Sequence, residues 1–108
     1  MSQPVSLTQI DANEIVPGFH GKMIHTDSMT FAYWDVSAGA TLPAHQHPHE
    51  QVLNMLEGEF ELTLDGVAHR LTAGDVLPIP GNVPHSGMAI TDCRILDVFS
   101  PARDDYRS

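Results

Sequence analysis

At 108 residues the chain has room for one domain and sits near the lower limit for a self-sufficient hydrophobic core. Five basic residues against fourteen acidic ones give a formal charge of −9, which repels nucleic-acid backbones and anionic membrane surfaces at long range. A hydrophobic fraction of 42% excludes a disordered chain, and the scattered acidic residues describe a solvated surface rather than an interaction tail. Cys93 is the sole cysteine, so no intramolecular disulfide forms, and its apolar flanks suit a small buried hydrophobe. Residues Met1 to Ile10 show no leader pattern, and no stretch approaches the roughly 18 apolar residues of a membrane span. The expectation is a soluble, cytoplasmic protein. Strands at this chain length gain stability by pairing with a second copy, so a homodimer is expected.

From Ser6 to Val16 the mixed order, with Thr8 as a candidate N-cap, allows a short turn of helix that Pro17-Gly18 ends. Strand signals begin at Met29. The run Met29 to Val36 is rich in aromatic and β-favouring residues and closes at Ser37-Ala38-Gly39-Ala40. Gln51 to Leu56 and Glu59 to Leu64 are strand candidates expected to pair as a hairpin across Glu57-Gly58, with Phe60, Leu62 and Leu64 alternating against polar residues. Asp65-Gly66 is a strong turn signal leading into Val67 to Leu71, which extends the expected pairing to a three-stranded meander. Val76 to Ile79, Pro84 to Ile90 and Arg94 to Phe99 complete the set. Many short strands punctuated by Gly and Pro describe an all-β sandwich or barrel. One domain spanning 1–108 is expected, with a metal-binding core at about 29–100.

Seven histidines are present, three of them in Thr41-Leu42-Pro43-Ala44-His45-Gln46-His47-Pro48-His49-Glu50-Gln51. In an extended segment side chains two apart share a face, so His45 and His47 point the same way, and Gln51 keeps that parity. Imidazoles and an amide oxygen make a first-row divalent metal site, with nickel, zinc, iron and manganese all compatible. His85, at the start of a later strand, is the fourth candidate, since a barrel can bring it opposite the first group. Glu50 has the opposite parity and ranks behind Gln51, and His49 is read as pocket rim. In the last strand Asp97 and Phe99 share a face, with Leu96 and Val98 on the other. A carboxylate in an apolar strand is paired, faces a wet cavity or faces a metal pocket. Arg103, taken alone, reads as a solvated tail residue.

Two spaced patterns carry a resemblance. Gly39-x5-His45-x-His47-x3-Gln51-x6-Gly58 resembles the first motif of the cupin superfamily, and Gly74-x5-Pro80-x-Asn82-x2-His85 resembles the second. Gln51 replaces the more usual glutamate, and Asn82 replaces a glycine at a position where Asn tolerates left-handed backbone. With neutral ligands only, a bound ion keeps its full charge and attracts anionic ligands. The tail Asp97-Val98-Phe99-Ser100-Pro101-x-Arg103-x-Asp105-Tyr106, with His45-x-His47-Pro48-His49-Glu50-Gln51, resembles the KdgF-type cupins of pectin and alginate catabolism. That resemblance implies a small, usually dimeric jelly-roll barrel (double-stranded β-helix) that converts 4,5-unsaturated monouronates into linear, ketonised 5-keto-4-deoxyuronates.

It also implies roles. His45, His47, Gln51 and His85 look like the family's metal ligands, and Asp97, Phe99 and Arg103 like its substrate-site residues. Opening an unsaturated uronate ring and moving a proton onto C4 requires a Lewis acid, an acid/base group and an anchor for the carboxylate. The alternatives are a metal-dependent cupin dioxygenase and a non-catalytic module that binds or senses sugar acids. Without a DNA-reading segment, a transcription factor is not expected.

Overall fold

Along most strands apolar side chains alternate with polar ones, and such strands bury one face by closing two antiparallel sheets over a shared core. The computed structural model describes residues 3–107. Its strands in chain order are β1 (Asn13–Val16), β2 (Phe19–His25), β3 (Thr30–Val36), β4 (Thr41–His45), β5 (Glu50–Glu57), β6 (Glu59–Leu64), β7 (Val67–Thr72), β8 (Val76–Ile79), β9 (His85–Ala89) and β10 (Cys93–Ser100). One sheet has six strands in the order β1-β2-β3-β10-β5-β8, and the other has four in the order β4-β9-β6-β7. This is the all-β architecture the strand pattern predicts.

The register grades the interior from apolar to polar. In the six-stranded sheet Trp34, Ile95 and Met55 form one cross-strand row of inward side chains, Ala32, Asp97 and Leu53 the next, and Thr30, Phe99 and Gln51 the last. In the four-stranded sheet Phe60 pairs with Ala89 and Leu71 at the apolar end, while His45 pairs with His85 at the other. The polar rows of both sheets therefore meet at one mouth of the sandwich. Phe19, Phe60, Leu62, Met55 and Ile95 fill the opposite end.

Two sequence expectations are corrected. Residues Leu7–Gln9 form a single 3-10 turn without a side-chain cap. Thr8 instead pairs its hydroxyl with that of Ser6 at 2.8 Å. Beyond that turn the chain is already sheet, with β1 and β2 antiparallel across Pro17-Gly18. The second correction concerns β5 and β6, which do not form a hairpin. β5 lies between β10 and β8, whereas β6 lies between β9 and β7. The meander reduces to the β6–β7 hairpin, whose Asp65 and Gly66 both have positive φ, 48° and 82°. Alternation specifies which face of a strand is buried and leaves its edge partner open, so two amphipathic strands can meet face to face across the core.

Gly58 marks the crossing from one sheet to the other. Its φ is +88°, and a Cβ there would overlap the carbonyl oxygen of Asp92. Gly74 has a similar φ of +93° with nothing nearby. Gly74→Ala is expected to cost about 1–2 kcal/mol from left-handed strain. Gly58→Ala is expected to cost about 2–5 kcal/mol, because overpacking adds to the strain. Equilibrium urea denaturation of the two variants checks this, and equal losses would refute the steric account.

Candidate metal centre and cavity

His45 ends β4, His47 sits in the bend that follows, and His85 opens β9. One ring nitrogen from each lies within 4.8 Å of the others. The remaining nitrogens are engaged: Nδ1 of His45 bonds the Pro43 carbonyl at 2.9 Å, Nδ1 of His47 that of His49 at 3.0 Å, and Nδ1 of His85 that of Val83 at 2.9 Å. A carbonyl only accepts, so each Nδ1 carries the proton and each Nε2 presents a lone pair. Nε2 of His85 is buried with no hydrogen-bond partner among the described residues. Nε2 of His47 lies 3.2 Å from Oε1 of Gln51. Two acceptors at that distance, beside an orphaned third, are satisfied by a cation held between them.

Burial reinforces the neutral state of the rings. The His47 pKa is lowered to about 4, by burial first and then by the Arg103 guanidinium and His85. His85 is lowered as well, chiefly by burial. Neutral imidazole is the form that ligates metals.

Convergence is achieved differently from the parity argument. His45 belongs to the four-stranded sheet and Gln51 to the six-stranded one, so the two face each other across the mouth instead of sharing a strand. The loop before β9 secures the bend between them. Asn82, at φ +63°, donates its backbone N–H to the His47 carbonyl at 2.7 Å. Gly81 packs so closely that a Cβ would overlap the Pro48 carbonyl oxygen. Glu50 is exposed, and its backbone pairs with Ser100. His49 stands beside His47, ring centroids 5.5 Å apart, and its Nδ1 is buried without a partner among the described residues.

Asp97, Phe99 and Arg103 line the same cavity, of about 350 Å³, whose floor is formed by Leu42, Leu53, Phe60 and Leu62. Asp97 accepts a hydrogen bond from Trp34 Nε1 at 3.0 Å on Oδ2, while Oδ1 is buried without a partner among the described residues. Its pKa is raised to about 6 by burial, against the lowering effects of Gln51, Trp34 and Arg103. Both protonation states are thus accessible near neutral pH. Arg103 is 8% exposed, not a solvated tail residue. Asp105 grips its guanidinium in a fork, Nε to Oδ1 at 2.9 Å and an Nη to Oδ2 at 2.7 Å. The guanidinium carbon stacks 4.1 Å from the Tyr106 ring centroid and 4.8 Å from that of Phe99. Trp34, on β3, and Tyr106, in the 3-10 turn Asp104–Tyr106, are cavity residues that the sequence patterns did not single out; an aromatic side chain carries no mark distinguishing core from pocket.

The cupin domain model matches residues 32–99. The chain is similar to the solved structure of KdgF from Halomonas sp., at 30% identity and a TM-score of 0.93, covering 99% of this chain and 100% of that one. It is 28% identical to the pectin degradation protein KdgF of Dickeya dadantii over 86% of this chain and 87% of that one. A segment of 50 residues is 46% identical to quercetin 2,3-dioxygenase of Bacillus subtilis, spanning 44% of this chain and only 14% of that enzyme. With the histidine cluster at the mouth of a two-sheet barrel and these likenesses along its length, the chain belongs to the cupin domain family and, within it, to the KdgF-type cupins.

Proposed function

We propose that this protein is a metal-dependent enzyme that opens and tautomerises 4,5-unsaturated monouronates from pectin or alginate, giving linear, ketonised 5-keto-4-deoxyuronates. The observation that carries the reading is a three-histidine cluster with inward lone pairs, two of whose members, His45 and His85, line one cavity with Asp97, whose Oδ1 is orphaned, and the buried Arg103. The names of the Halomonas and Dickeya relatives support it.

His45, His47 and His85 would hold a divalent ion (nickel, zinc, iron or manganese) through Nε2, with Gln51 Oε1 as the fourth ligand. Such an ion, when bound, supplies Lewis acidity toward a ring or enol oxygen and attraction for a carboxylate. Asp97 holds and delivers the proton destined for C4 from Oδ1, the oxygen with no other partner. Arg103 binds the sugar carboxylate with the donors that Asp105 leaves free. Phe99 offers its ring beside His47, centroids 5.7 Å apart, for packing against the sugar face. The protein works on this reading as a cytoplasmic homodimer acting on a small molecule.

A second reading, a cupin dioxygenase, is favoured by the segment shared with quercetin 2,3-dioxygenase and by the apolar cavity floor. Oxygen uptake with a flavonol, together with no turnover of unsaturated uronate, would replace the first reading with this one.

Purified wild-type protein is expected to contain one divalent ion per chain by elemental analysis. His85→Ala and His47→Ala lose it, whereas His20→Ala, on the exposed outer surface beside Glu14, retains it. Metal content unchanged in the first two variants refutes the ligand assignment. Wild-type protein is expected to accelerate the loss of ultraviolet absorbance of unsaturated galacturonate, and chelator treatment to abolish the acceleration. Asp97→Ala lowers the rate by about 10²- to 10⁴-fold with metal content intact. Wild-type decay no faster than the spontaneous reaction overturns the enzymatic reading and favours a sugar-acid sensor.

A further inference from the structure

Asp97 carries a charge into an otherwise apolar strand face, and what holds it is the only tryptophan of the chain. Trp34 is not its cross-strand neighbour. Trp34 pairs with Ile95 on β10 and with Gly21 on β2, while Asp97 pairs with Ala32, one inward row nearer the mouth. The indole therefore leans along the sheet to reach the carboxylate, and neighbouring residues pack against it in that position. Gly21 leaves space beneath the ring: a Cβ there would lie 2.7 Å from Cζ3 and 2.9 Å from Cε3 of the indole. Gly21 has no positive φ that would by itself call for glycine; the space it leaves is taken by the indole and by Met23 Cε, also 2.7 Å from such a Cβ. Phe19 and Tyr106 close the sides edge-on, with centroids 6.1 and 6.2 Å from the indole and interplanar angles of 83° and 82°.

We propose, building on the uronate reading, that Trp34 is a positioning residue: its indole N–H captures Oδ2 of Asp97 and turns Oδ1 toward the substrate. An indole nitrogen has one hydrogen to donate and no lone pair to accept with. The carboxyl group, ionised or protonated, keeps its accepting oxygen on the indole and leaves Oδ1 to exchange a proton with the sugar. Oδ1 is buried without a partner among the described residues, which is the state this division of labour requires. Without the indole hydrogen bond the carboxyl plane is free to turn about the Cβ–Cγ bond, and the proton is no longer aimed. Trp34 touches no reacting atom in this account and acts only through Asp97.

Because the chain has a single tryptophan, the hydrogen can be deleted with almost no change of shape. Protein produced with 3-benzothienylalanine in place of tryptophan has sulfur where the N–H was. Its kcat on unsaturated galacturonate is expected to fall about 10- to 100-fold, the scale of a misaligned acid/base group, with KM and metal content unchanged. Unchanged kcat overturns the proposal, as does a loss confined to KM. A second measurement needs no turnover and no analogue. In ¹⁵N-labelled protein the lone indole N–H gives one resonance, expected downfield and slow to exchange with solvent, and Asp97→Ala moves it upfield and speeds the exchange. An indole resonance insensitive to Asp97→Ala overturns the contact itself. Failure of wild-type protein to turn over the uronate overturns the substrate reading alone, and the resonance still decides whether Trp34 holds Asp97.

Discussion

Three backbone carbonyls, those of Pro43, His49 and Val83, govern the chemistry of the site. Each lies two residues from the histidine whose Nδ1–H it accepts, so the tautomer is set by local backbone shape. The consequence is electrostatic. Three lone pairs aimed at one point, and packed with the Gln51 amide oxygen, have nothing to offer one another and a great deal to offer a cation. Burial and the nearby guanidinium disfavour protonation of His47, which removes the simplest way to relieve that arrangement. The hydrogen bond from Asn82 to the His47 carbonyl, and the close approach of Gly81 to Pro48, hold the two histidine-bearing segments against each other so that the geometry persists.

Confining polar side chains to one mouth of the barrel leaves the rest of the interior apolar. Buried polar groups away from water are costly unless they are bonded, and most here are. Thr30, fully buried, uses its hydroxyl twice, toward the Arg103 backbone N–H at 2.8 Å and toward His25 Nδ1 at 2.7 Å. The described atoms left without partners, Nε2 of His85, Oδ1 of Asp97 and Nδ1 of His49, cluster around the mouth. In a chain this small such departures from satisfaction point to function, because packing alone has no use for them.

The C-terminal segment turns an open mouth into a cavity. Thr30 anchors it at Arg103, Asp105 orients the guanidinium, and Tyr106 covers it while closing one side of Trp34. A cation clamped this way loses little further freedom when it meets a carboxylate, which favours binding.

Much of this was legible in the residues. The strands from Thr30 onward other than β4, and the Asp65-Gly66 hairpin, follow from alternation and turn chemistry, and the types and spacing of His45, His47, Gln51 and His85 mark them as candidate ligands, all local properties of the chain. Their convergence needed the two sheets to face each other. The inward parity of Asp97 and Phe99 was local too. What the sequence left undetermined depends on contacts between distant segments. Alternation in β5 and β6 marks a buried face and is silent about the edge partner, so two sheets read as one meander. The mixed order before Val16 gave a single 3-10 turn followed by β1, because β2 was there to pair with it. The burial of Arg103 and the reach of Trp34 to Asp97 exist only once β3, β10 and the C-terminal turn are brought together, since a guanidinium or an indole is described by its neighbours and not by its place in the chain.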